Sequence, residues 1–348
     1  MREVIFAIPG DLATPTGGYA YDREVLARLP SLGVPVRHVA LPGSFPAPSA
    51  ADLAATADML AATPPDAVLL IDGLAYGAFP MALVQTLRRP IVALVHHPLG
   101  YESGIGEQRA RELVVSERAA LTGCRRVIAT SPMTARLLIQ EFGVPESRIA
   151  VAEPGTVPAH RAEGTGEPVA LLAVGAVSAR KGYPVLVEAL AELTDLPWHL
   201  TIAGAVDRSP AAAAELTKAI AAHHLADRIT VAGSVDTPAL DALYAAADIF
   251  VMPSLFEGYG MVLGEAMARG LPIVCTTGGA AAETVPDSAG IKVPPGDAAA
   301  FGGALRDLLL NLPLRQRLAE ESWQAGQRLP RWDDTARRIA DVLKEIAS

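Results

Sequence analysis

The chain has 348 residues, of which 51% are hydrophobic, and its formal net charge at pH 7 is -9. A single hydrophobic core stops growing at roughly 250 to 300 residues, so this length predicts two domains. The negative charge argues against a protein that binds nucleic acid mainly by electrostatic attraction, and no nucleic-acid partner is expected.

The two cysteines, Cys124 and Cys275, lack Cys-x-x-Cys spacing and a nearby histidine cluster, so they are predicted to be unreactive thiols and not zinc ligands. No apolar run reaches the roughly 18 residues of a membrane span, and the opening residues have too short an apolar run for a signal peptide. We therefore expect a cytoplasmic protein without an integral membrane span.

The first half alternates short apolar runs with helical patterns, which is typical of a doubly wound parallel sheet covered on both faces by helices. Gly17 and Gly18 follow the first of these runs, where a glycine pair lets backbone N–H groups approach a ligand. The alternative is a plain tight turn, because glycine pairs are common. The strands are expected at residues 4–8, 68–71, 91–95 and 127–129.

Two adjacent histidines, His96 and His97, follow the strand predicted at residues 91–95. Neighbouring residues of an extended chain point to opposite faces, so only one of the two can face a ligand. The alternatives are a histidine without a functional part and a metal site, although adjacent histidines lack the spacing of helical metal ligands.

Residues 158–168 are rich in Pro, Gly, Glu and Thr, which predicts a linker between an N-terminal domain (1–157) and a C-terminal domain (169–330). Ligands of open α/β sheets bind beyond the carboxyl ends of the strands, so two such edges facing each other would create one cleft. In the C-terminal half, strands are expected at residues 170–174, 199–203, 229–232, 249–252 and 273–276, and strandless final helices at 300–310, 314–326 and 334–346.

The loop at residues 175–182 carries two adjacent cations, Arg180 and Lys181, and enters a helix with Pro184 in its first turn. Charge-assisted hydrogen bonds from these cations would neutralise a departing diphosphate, so the loop is predicted to hold phosphate. The alternative is a solvated basic turn.

Seven residues separate Glu257 from Glu265, across a loop that runs into a helix beginning near Met261. Gly258 and Gly260 free the loop backbone to come close to a ligand. A helix N-terminus suits a diphosphate and a nearby carboxylate suits vicinal hydroxyls, and a nucleotide sugar offers both groups. The alternative is that Glu257 caps the helix and Glu265 is solvated.

Residues 256–268 resemble the donor-site signature of retaining glycosyltransferases of family 4, which have the GT-B fold. The glycine pair, the histidines, the loop at 175–182, and residues 276–279 followed by Glu283 occur in the order typical of that family. The resemblance implies two doubly wound Rossmann-like domains facing across a deep cleft, with the acceptor on the N-terminal side. It also implies that the last helix, 331–348, crosses back to the N-terminal domain, beginning near Trp332. The alternative is an ordinary helical tail.

The same resemblance implies transfer of a hexosyl group from a nucleotide-diphosphate sugar, a UDP- or GDP-sugar, to an acceptor hydroxyl with retention of configuration. Many relatives carry an Arg where this chain has Ala176, so Arg180 must supply the guanidinium. Glu257 is expected on the hydroxyls of the sugar and Glu265 on the ribose. The implied catalytic residues are His96, Arg180, Lys181 and Glu257, and the donor-binding residues are Gly17, Gly18, Gly258, Tyr259, Gly260, Met261, Val262 and Glu265.

The sequence lacks an Asp-x-Asp motif, so no metal and no cofactor besides the donor substrate are expected. It also lacks the signatures of dinucleotide-binding enzymes, P-loop kinases, serine hydrolases and zincins. A sugar-nucleotide epimerase, a phosphorylase and a non-catalytic nucleotide-sugar-binding subunit remain alternatives, because a fold alone does not fix function. The acceptor (small molecule, saccharide or lipid), peripheral membrane contact, and a monomeric or homodimeric state all stay open.

Overall fold

The computed structural model describes residues 2–102 and 104–347, and the chain divides into two compact units. Unit 1 comprises Met1–Gly155 and Pro330–Ser348, and unit 2 comprises Thr156–Leu329. The chain thus leaves unit 1 once, forms all of unit 2, and then returns to unit 1 for its last helix.

Unit 1 is built on a parallel sheet of six strands in the order β2-β1-β3-β4-β5-β6. Every residue of β1, β3 and β4 is buried, so both faces of the central strands are covered. The strands are β1 (Val4–Pro9), β2 (Val36–Leu41), β3 (Val68–Asp72), β4 (Ile91–Val95), β5 (Arg126–Ala129) and β6 (Ile149–Val151).

The helices of unit 1 connect successive strands, and the last helix of the chain is added to them. They are α1 (Gly17–Arg28), α2 (Ala50–Ala61), α3 (Gly73–Tyr76), α4 (Met81–Thr86), α5 (Glu107–Thr122), α6 (Pro132–Gln140) and the C-terminal α14 (Trp332–Ala347).

Helix α14 packs on unit 1, as the family resemblance implied. Ile339 and Leu343 are fully buried. The Trp332 ring meets the Tyr21 ring edge-on, with 5.7 Å between centroids. The Thr335 hydroxyl donates a hydrogen bond of 2.6 Å to the carbonyl of Glu153. The apolar stripe of this helix therefore completes the hydrophobic covering of unit 1.

Unit 2 holds a second parallel sheet of six strands, in the order β12-β11-β10-β7-β8-β9. Its strands are β7 (Val169–Val174), β8 (Trp198–Ala203), β9 (Ile229–Gly233), β10 (Ile249–Met252), β11 (Ile273–Thr276) and β12 (Gly290–Val293). Its helices are α7 (Tyr183–Ala191), α8 (Pro210–Ala222), α9 (Thr237–Ala246), α10 (Met261–Met267), α11 (Ala281–Thr284), α12 (Ala298–Leu310) and α13 (Leu312–Arg328). Two doubly wound sheets confirm the predicted fold class.

The structure adds three strands that the sequence patterns did not predict, namely β2, β6 and β12. All three lie at the edge of a sheet. Edge strands are only partly covered, so they need no uninterrupted apolar run, and β2 shows this with half of its residues exposed.

Residues 158–168 belong with unit 2 and are hydrogen bonded to it. The N–H of Ala162 donates to the carbonyl of Arg269 at 2.9 Å. The carboxylate of Asp248 accepts hydrogen bonds from the backbone N–H groups of Thr165 and Ala170. The chain therefore changes units at Gly155, ahead of the segment that composition marked as a linker.

Candidate active-site residues

In unit 2, the predicted donor-site residues follow the carboxyl ends of three neighbouring strands. The loop at 175–182 follows β7, residues 253–260 follow β10, and residues 277–280 follow β11. Strands β7 and β10 pair directly although β8 and β9 lie between them in sequence, so the strand order reverses here. Open α/β sheets bind ligands at such a reversal.

The carboxylate of Glu257 is the centre of a buried charge cluster. Its Oε1 accepts hydrogen bonds of 2.7 Å from Lys181 Nζ and 2.7 Å from the Ser254 hydroxyl. Its Oε2 lies 3.1 Å from Arg180 Nη1, which also donates to the carbonyl of Phe256 at 2.7 Å. The structure thus brings together three residues that the sequence analysis selected, Arg180, Lys181 and Glu257, and adds Ser254, which lies in the same loop as Glu257.

Electrostatics keep this cluster charged despite its burial. Burial raises the pKa of Glu257, but the charges of Lys181 and Arg180 and the hydrogen bonds outweigh it and lower the pKa to about 2. The side chains of Lys181, Arg180 and Glu257 are 12%, 19% and 7% exposed. Two cations beside one carboxylate leave a net positive charge, which favours an anionic ligand.

Two glycines bring the loops after β10 and β11 into backbone contact. The Glu257 N–H donates to the carbonyl of Gly278 at 3.1 Å, and the Ala280 N–H donates to the carbonyl of Glu257 at 2.8 Å. A Cβ on Gly278 would overlap the carbonyl of Leu255, and a Cβ on Gly279 would overlap that of Glu257. Glycine at 278 and 279 therefore allows the close backbone contact that holds Glu257 in place.

A third glycine joins the basic loop to the loop after β10. Gly182 has a φ of 64°, and a Cβ there would overlap the carbonyl of Pro253. The Leu255 N–H donates a 2.7 Å hydrogen bond to the carbonyl of Arg180. The two loops that carry Lys181 and Glu257 are therefore in contact through their backbones as well as through their charges.

Glu265 lies in the second turn of α10 and is held by an aromatic hydroxyl. Tyr244, which is fully buried, donates a 2.8 Å hydrogen bond to Glu265 Oε2. Burial raises the pKa of Glu265, while the Tyr244 hydrogen bond and the charges of Arg269 and Lys181 oppose that rise.

The remaining predicted donor-site residues lead into α10. Gly258 and Tyr259 are buried in the turn before it, and Gly260 adopts a φ of 85°. Met261 and Val262 are the first, partly buried residues of the helix. The Tyr259 carbonyl accepts a hydrogen bond of 2.9 Å from Thr284. The expected helix start at Met261 is confirmed, although the helix has only seven residues.

In unit 1, Gly17 and Gly18 form the first turn of α1 and not a loop before it. The sequence prediction placed the helix start near Tyr19. The cause of the earlier start is Thr16, whose side chain accepts a hydrogen bond from the Tyr19 N–H and so caps the helix. The two glycines still offer first-turn backbone N–H groups, which lack partners within the helix.

His96 is held against two buried carboxylates. Its Nε2 lies 3.3 Å from Asp22 Oδ1 and 3.4 Å from Asp72 Oδ2. Asp22 comes from α1 and is fully buried, and Asp72 ends β3, where its Oδ1 accepts a 2.6 Å hydrogen bond from the Leu74 N–H. A Cβ on Gly18 would lie 3.6 Å from the imidazole, so the glycine pair lies next to His96 in unit 1.

The two carboxylates favour a positively charged His96. Burial alone lowers the pKa of the imidazole, but Asp22 and Asp72 outweigh it and raise the pKa to about 10. The pKa of Asp22 rises to about 7, first because of burial and second because Asp72 carries a like charge, while His96 opposes the rise.

His97 lies apart from this cluster, with its Nε2 3.2 Å from the carboxylate of Glu102. Two adjacent histidines thus have separate carboxylate partners. Sequence reasoning selected His96 but missed Asp22 and Asp72. Asp72 could have been selected from the sequence, because it is a polar residue directly after the apolar run at 68–71. Asp22 could not, because it lies in an ordinary helical pattern.

The described residues include one group of three acidic or histidine side chains whose ligand atoms lie within 4.8 Å of one another, namely Asp22, Asp72 and His96. Metal independence stays a prediction of the sequence. Among the described helices, none has both the length and the apolar composition that a membrane crossing requires.

Comparison with known protein families covers nearly the whole chain. Residues 159–324 match the sequence profile described as "Glycosyl transferases group 1", and residues 6–155 match "Glycosyl transferase 4-like domain".

Characterised relatives align with part of the chain. A D-inositol 3-phosphate glycosyltransferase of Xylanimonas cellulosilytica is 30% identical over 250 residues, which are 67% of this chain and 60% of that protein. A mannosylfructose-phosphate synthase of Agrobacterium fabrum is 28% identical over 187 residues, which are 49% of this chain and 41% of the synthase. The matched part of the chain thus spans at most about 60% of these two relatives.

Two solved structures resemble the whole chain. A sucrose-phosphate synthase from Thermosynechococcus elongatus has a TM-score of 0.83 at 22% identity, covering 99% of both chains. The Anabaena protein HepE in complex with UDP and glucose has a TM-score of 0.78 at 18% identity, covering 99% of this chain and 100% of HepE. At these identities the likeness establishes the fold, and the expected GT-B fold is confirmed.

Proposed function

The chain belongs to the group 1 glycosyl transferases with a glycosyl transferase 4-like N-terminal part, and from that premise we propose that it moves a hexosyl group from a nucleoside-diphosphate sugar to an acceptor hydroxyl. The bond between the anomeric carbon and the phosphate oxygen breaks, and the acceptor oxygen forms the new bond on the same face of the sugar. The leaving phosphate takes the proton of the acceptor.

The observation that carries this proposal is the cluster of Arg180, Lys181 and Glu257 at the strand-order reversal of unit 2. A leaving diphosphate gains negative charge in the transition state, so preformed cations beside it lower the barrier. Because Glu257 already holds both cations in place, little reorganisation is needed when the diphosphate arrives.

Glu257 has two parts in this scheme. Its carboxylate fixes the cations through Lys181 Nζ and Arg180 Nη1. Once the diphosphate shares those cations, the carboxylate becomes an acceptor for hydroxyls of the donor sugar. Glu265, held by Tyr244, would accept hydrogen bonds from the ribose. In unit 1, Gly17, Gly18 and His96 would contact the acceptor or the sugar.

The structure of HepE was solved with UDP and glucose, so UDP-glucose is the first donor to test here. Binding of UDP, GDP and ADP is measured by thermal shift and calorimetry, and transfer from the corresponding sugars is then followed over a panel of small-molecule, saccharide and lipid acceptors. One nucleoside diphosphate should raise the melting temperature, and its sugar should be transferred with the α-configuration kept, as read by NMR.

A matched pair of variants tests whether binding uses the proposed cluster. Lys181→Ala should weaken nucleoside-diphosphate binding, whereas Lys218→Ala, on the exposed face of α8, should leave it unchanged. Inversion at the anomeric carbon, or transfer that stops when a chelator is added, contradicts the proposal. Binding without transfer over the whole panel would instead support a nucleotide-sugar-binding subunit.

A further inference from the structure

Two carboxylates lie beside the single imidazole of His96, and one imidazolium can neutralise only one of them. Asp22 is fully buried, and Asp72 is 3% exposed. Neither oxygen of Asp22, nor Nε2 of His96, has a well-aligned hydrogen bond among the described residues. Burying a carboxylate without a hydrogen-bond partner costs free energy, so the position of Asp22 beside the imidazole needs a physical explanation.

The positions of the two carboxylates give that explanation. Their oxygens lie at nearly equal distances from Nε2, 3.3 Å for Asp22 and 3.4 Å for Asp72, so one N–H is shared between both. An N–H aimed between two acceptors is well aligned with neither, which accounts for the missing linear hydrogen bonds of Nε2 and of Asp22 Oδ1. The arrangement favours a proton on Nε2 and an imidazolium.

The ring is also fixed from its other sides. The Tyr21 ring meets it edge-on, with 5.2 Å between centroids, and the Tyr21 hydroxyl is anchored by a 2.8 Å hydrogen bond to the carbonyl of Ala152. Gly18 lies against the Cδ2 and Nε2 edge. Nε2 is inaccessible to solvent although 21% of the side chain is exposed, so the exposed part lies elsewhere on the ring.

We propose that Asp22 and Asp72 are positioning residues that hold His96 through Nε2, so that the exposed side of the ring is a fixed, cationic hydrogen-bond donor to an oxygen of the substrate. This inference rests on the proposed function for the identity of that substrate, in which sugar hydroxyls and phosphates supply the oxygens. The titratable groups that face His96 are Asp22 and Tyr21 from α1 and Asp72 from the end of β3.

The charge balance gives the proposal a measurable signature. The raised pKa of His96, about 10, keeps the ring cationic at neutral pH only while the carboxylates are present. Replacing one carboxylate with an amide of nearly the same shape removes a charge while retaining the hydrogen-bonding group. Asparagine is also a good helix N-cap, so Asp72→Asn retains a side chain able to accept from the Leu74 N–H.

The test is a pH titration of the histidine ring signals by NMR in the intact, substrate-free protein, assigned with His96→Gln. The wild-type ring should stay protonated above pH 8. Asp22→Asn and Asp72→Asn should each lower the midpoint by about one pH unit or more. Glu102→Gln, which removes the carboxylate beside His97, is the matched control and should leave the His96 midpoint unchanged.

Kinetics supply the second measurement. In both Asn variants, the fall of kcat/KM at alkaline pH should move to lower pH, while nucleoside-diphosphate affinity, a property assigned to unit 2, stays the same. A wild-type His96 midpoint near 6.5, or a midpoint unmoved in both variants, overturns the proposal. Stoichiometric metal in purified protein that disappears in the variants also overturns it, because the three side chains would then be metal ligands. Since the titration needs no substrate, its result is independent of whether the proposed function holds.

Discussion

Lys181 forms a buried ion pair with Glu257 and is also proposed to bind the charged ligand. The lysine ammonium lies 2.7 Å from Glu257 Oε1 and is largely shielded from solvent. Truncating a lysine in such a place leaves a buried carboxylate with less compensation, in addition to removing a charge from the ligand site. Loss of activity and loss of stability must therefore be measured separately.

We predict that Lys181→Ala lowers kcat/KM by about a hundredfold, which is typical for the loss of one preorganised charge stabiliser. The measurement is steady-state kinetics with the donor identified by the binding screen. The free energy of unfolding is determined for the same variant by urea denaturation, so that only folded enzyme is counted.

Lys218→Ala serves as the control for a lost lysine charge in the same unit. Unchanged turnover in Lys181→Ala would remove Lys181 from the catalytic residues. A turnover loss that is matched by an equal fraction of unfolded protein would reassign the residue to stability alone.

At this scale the sequence predicted those residues that a local motif holds together. Arg180 and Lys181 are adjacent in one loop, so the sequence itself places these two cations together, whereas Glu257 lies in the loop before α10 and Glu265 within that helix. The partners from elsewhere could not be found that way. Asp22 reaches His96 across 74 positions of sequence, and only the order of the strands brings them together.

Among the elements, the loops after β7 and β10 depend on close backbone approach more than on side chains. Gly182 both ends the short 3-10 turn Ala179–Lys181 and precedes α7, in a left-handed conformation. Its missing side chain makes room for the carbonyl of Pro253. An alanine there would push apart the two loops that carry the charge cluster.

We predict that Gly182→Ala destabilises unit 2 more than Gly233→Ala does, although both glycines have a similar φ of 64° and 68°. A Cβ on Gly233 meets nothing within 4 Å, so only the left-handed strain of about 1 to 2 kcal/mol applies. At Gly182 the overlap with Pro253 adds ~1 to 3 kcal/mol, as overpacking does.

Urea denaturation curves of the two variants and the wild type check this order. Gly182→Ala should also weaken nucleoside-diphosphate binding, because Arg180 and Lys181 shift with the loop. Equal destabilisation by the two alanines would mean that backbone strain, and not the contact with Pro253, is the reason for glycine at position 182.

The sequence predicted the strands that are completely buried and the edge strand β9, and it missed the edge strands β2, β6 and β12. Central strands such as β4 and β10 read as uninterrupted apolar runs because both of their faces are covered. Strand β2 interrupts its apolar residues with Arg37 and His38, since one side of it pairs with no other strand. The start of α1 was misplaced because a glycine pair weakens a helical pattern, and the Thr16 cap compensates for it.

Across the molecule, buried groups have pKa values shifted in both directions, raised for Glu117, Asp22 and His96 in unit 1 and for Glu265 in unit 2, and lowered for Glu257 in unit 2. Burial raises the pKa of Glu117 to about 8, and its Oε2 accepts a 2.8 Å hydrogen bond from the Leu99 N–H. Asp22 and His96 are raised to about 7 and about 10. In unit 2, Glu257 is lowered to about 2.

These directions predict that the stabilising effect of Glu257 depends on pH in the opposite way to that of Glu117 and His96. A group whose pKa is raised by folding binds a proton that the unfolded chain has lost, so its stabilising effect is complete at low pH. For Glu117 this effect is lost as the pH rises from about 4.5 to about 8, and for His96 as it rises from about 6.5 to about 10. Glu257 stabilises unit 2 above pH 4.5, and this effect is lost as the pH falls toward 2.

We predict that the stability of unit 1 falls between pH 6 and pH 9, and that Glu117→Gln reduces this fall. The amide keeps an acceptor for the Leu99 N–H but never ionises. At pH 9 the variant should be more stable than the wild type by about 1 to 3 kcal/mol, in the range of the cost of an uncompensated buried polar group.

Thermal and urea unfolding at several pH values check this, with the exposed Glu112→Gln on the same helix as the control. A wild-type stability that rises steadily from pH 6 to pH 9 would contradict it. A fall that Glu117→Gln leaves unchanged would assign the pH dependence to Asp22 and His96.

The path of the chain through the two units has a consequence for biosynthesis. Unit 1 is interrupted after Gly155 and is completed only by Pro330–Ser348, so a ribosome emits every residue of unit 2 before α14 becomes available. Until then, the surface of α1 that receives Trp332 and its neighbours stays uncovered. Unit 2 can reach its native state on the nascent chain, whereas unit 1 must wait until α14 has been synthesised, and a product truncated before α14 would expose an uncovered apolar surface to the proteases and chaperones of the cell.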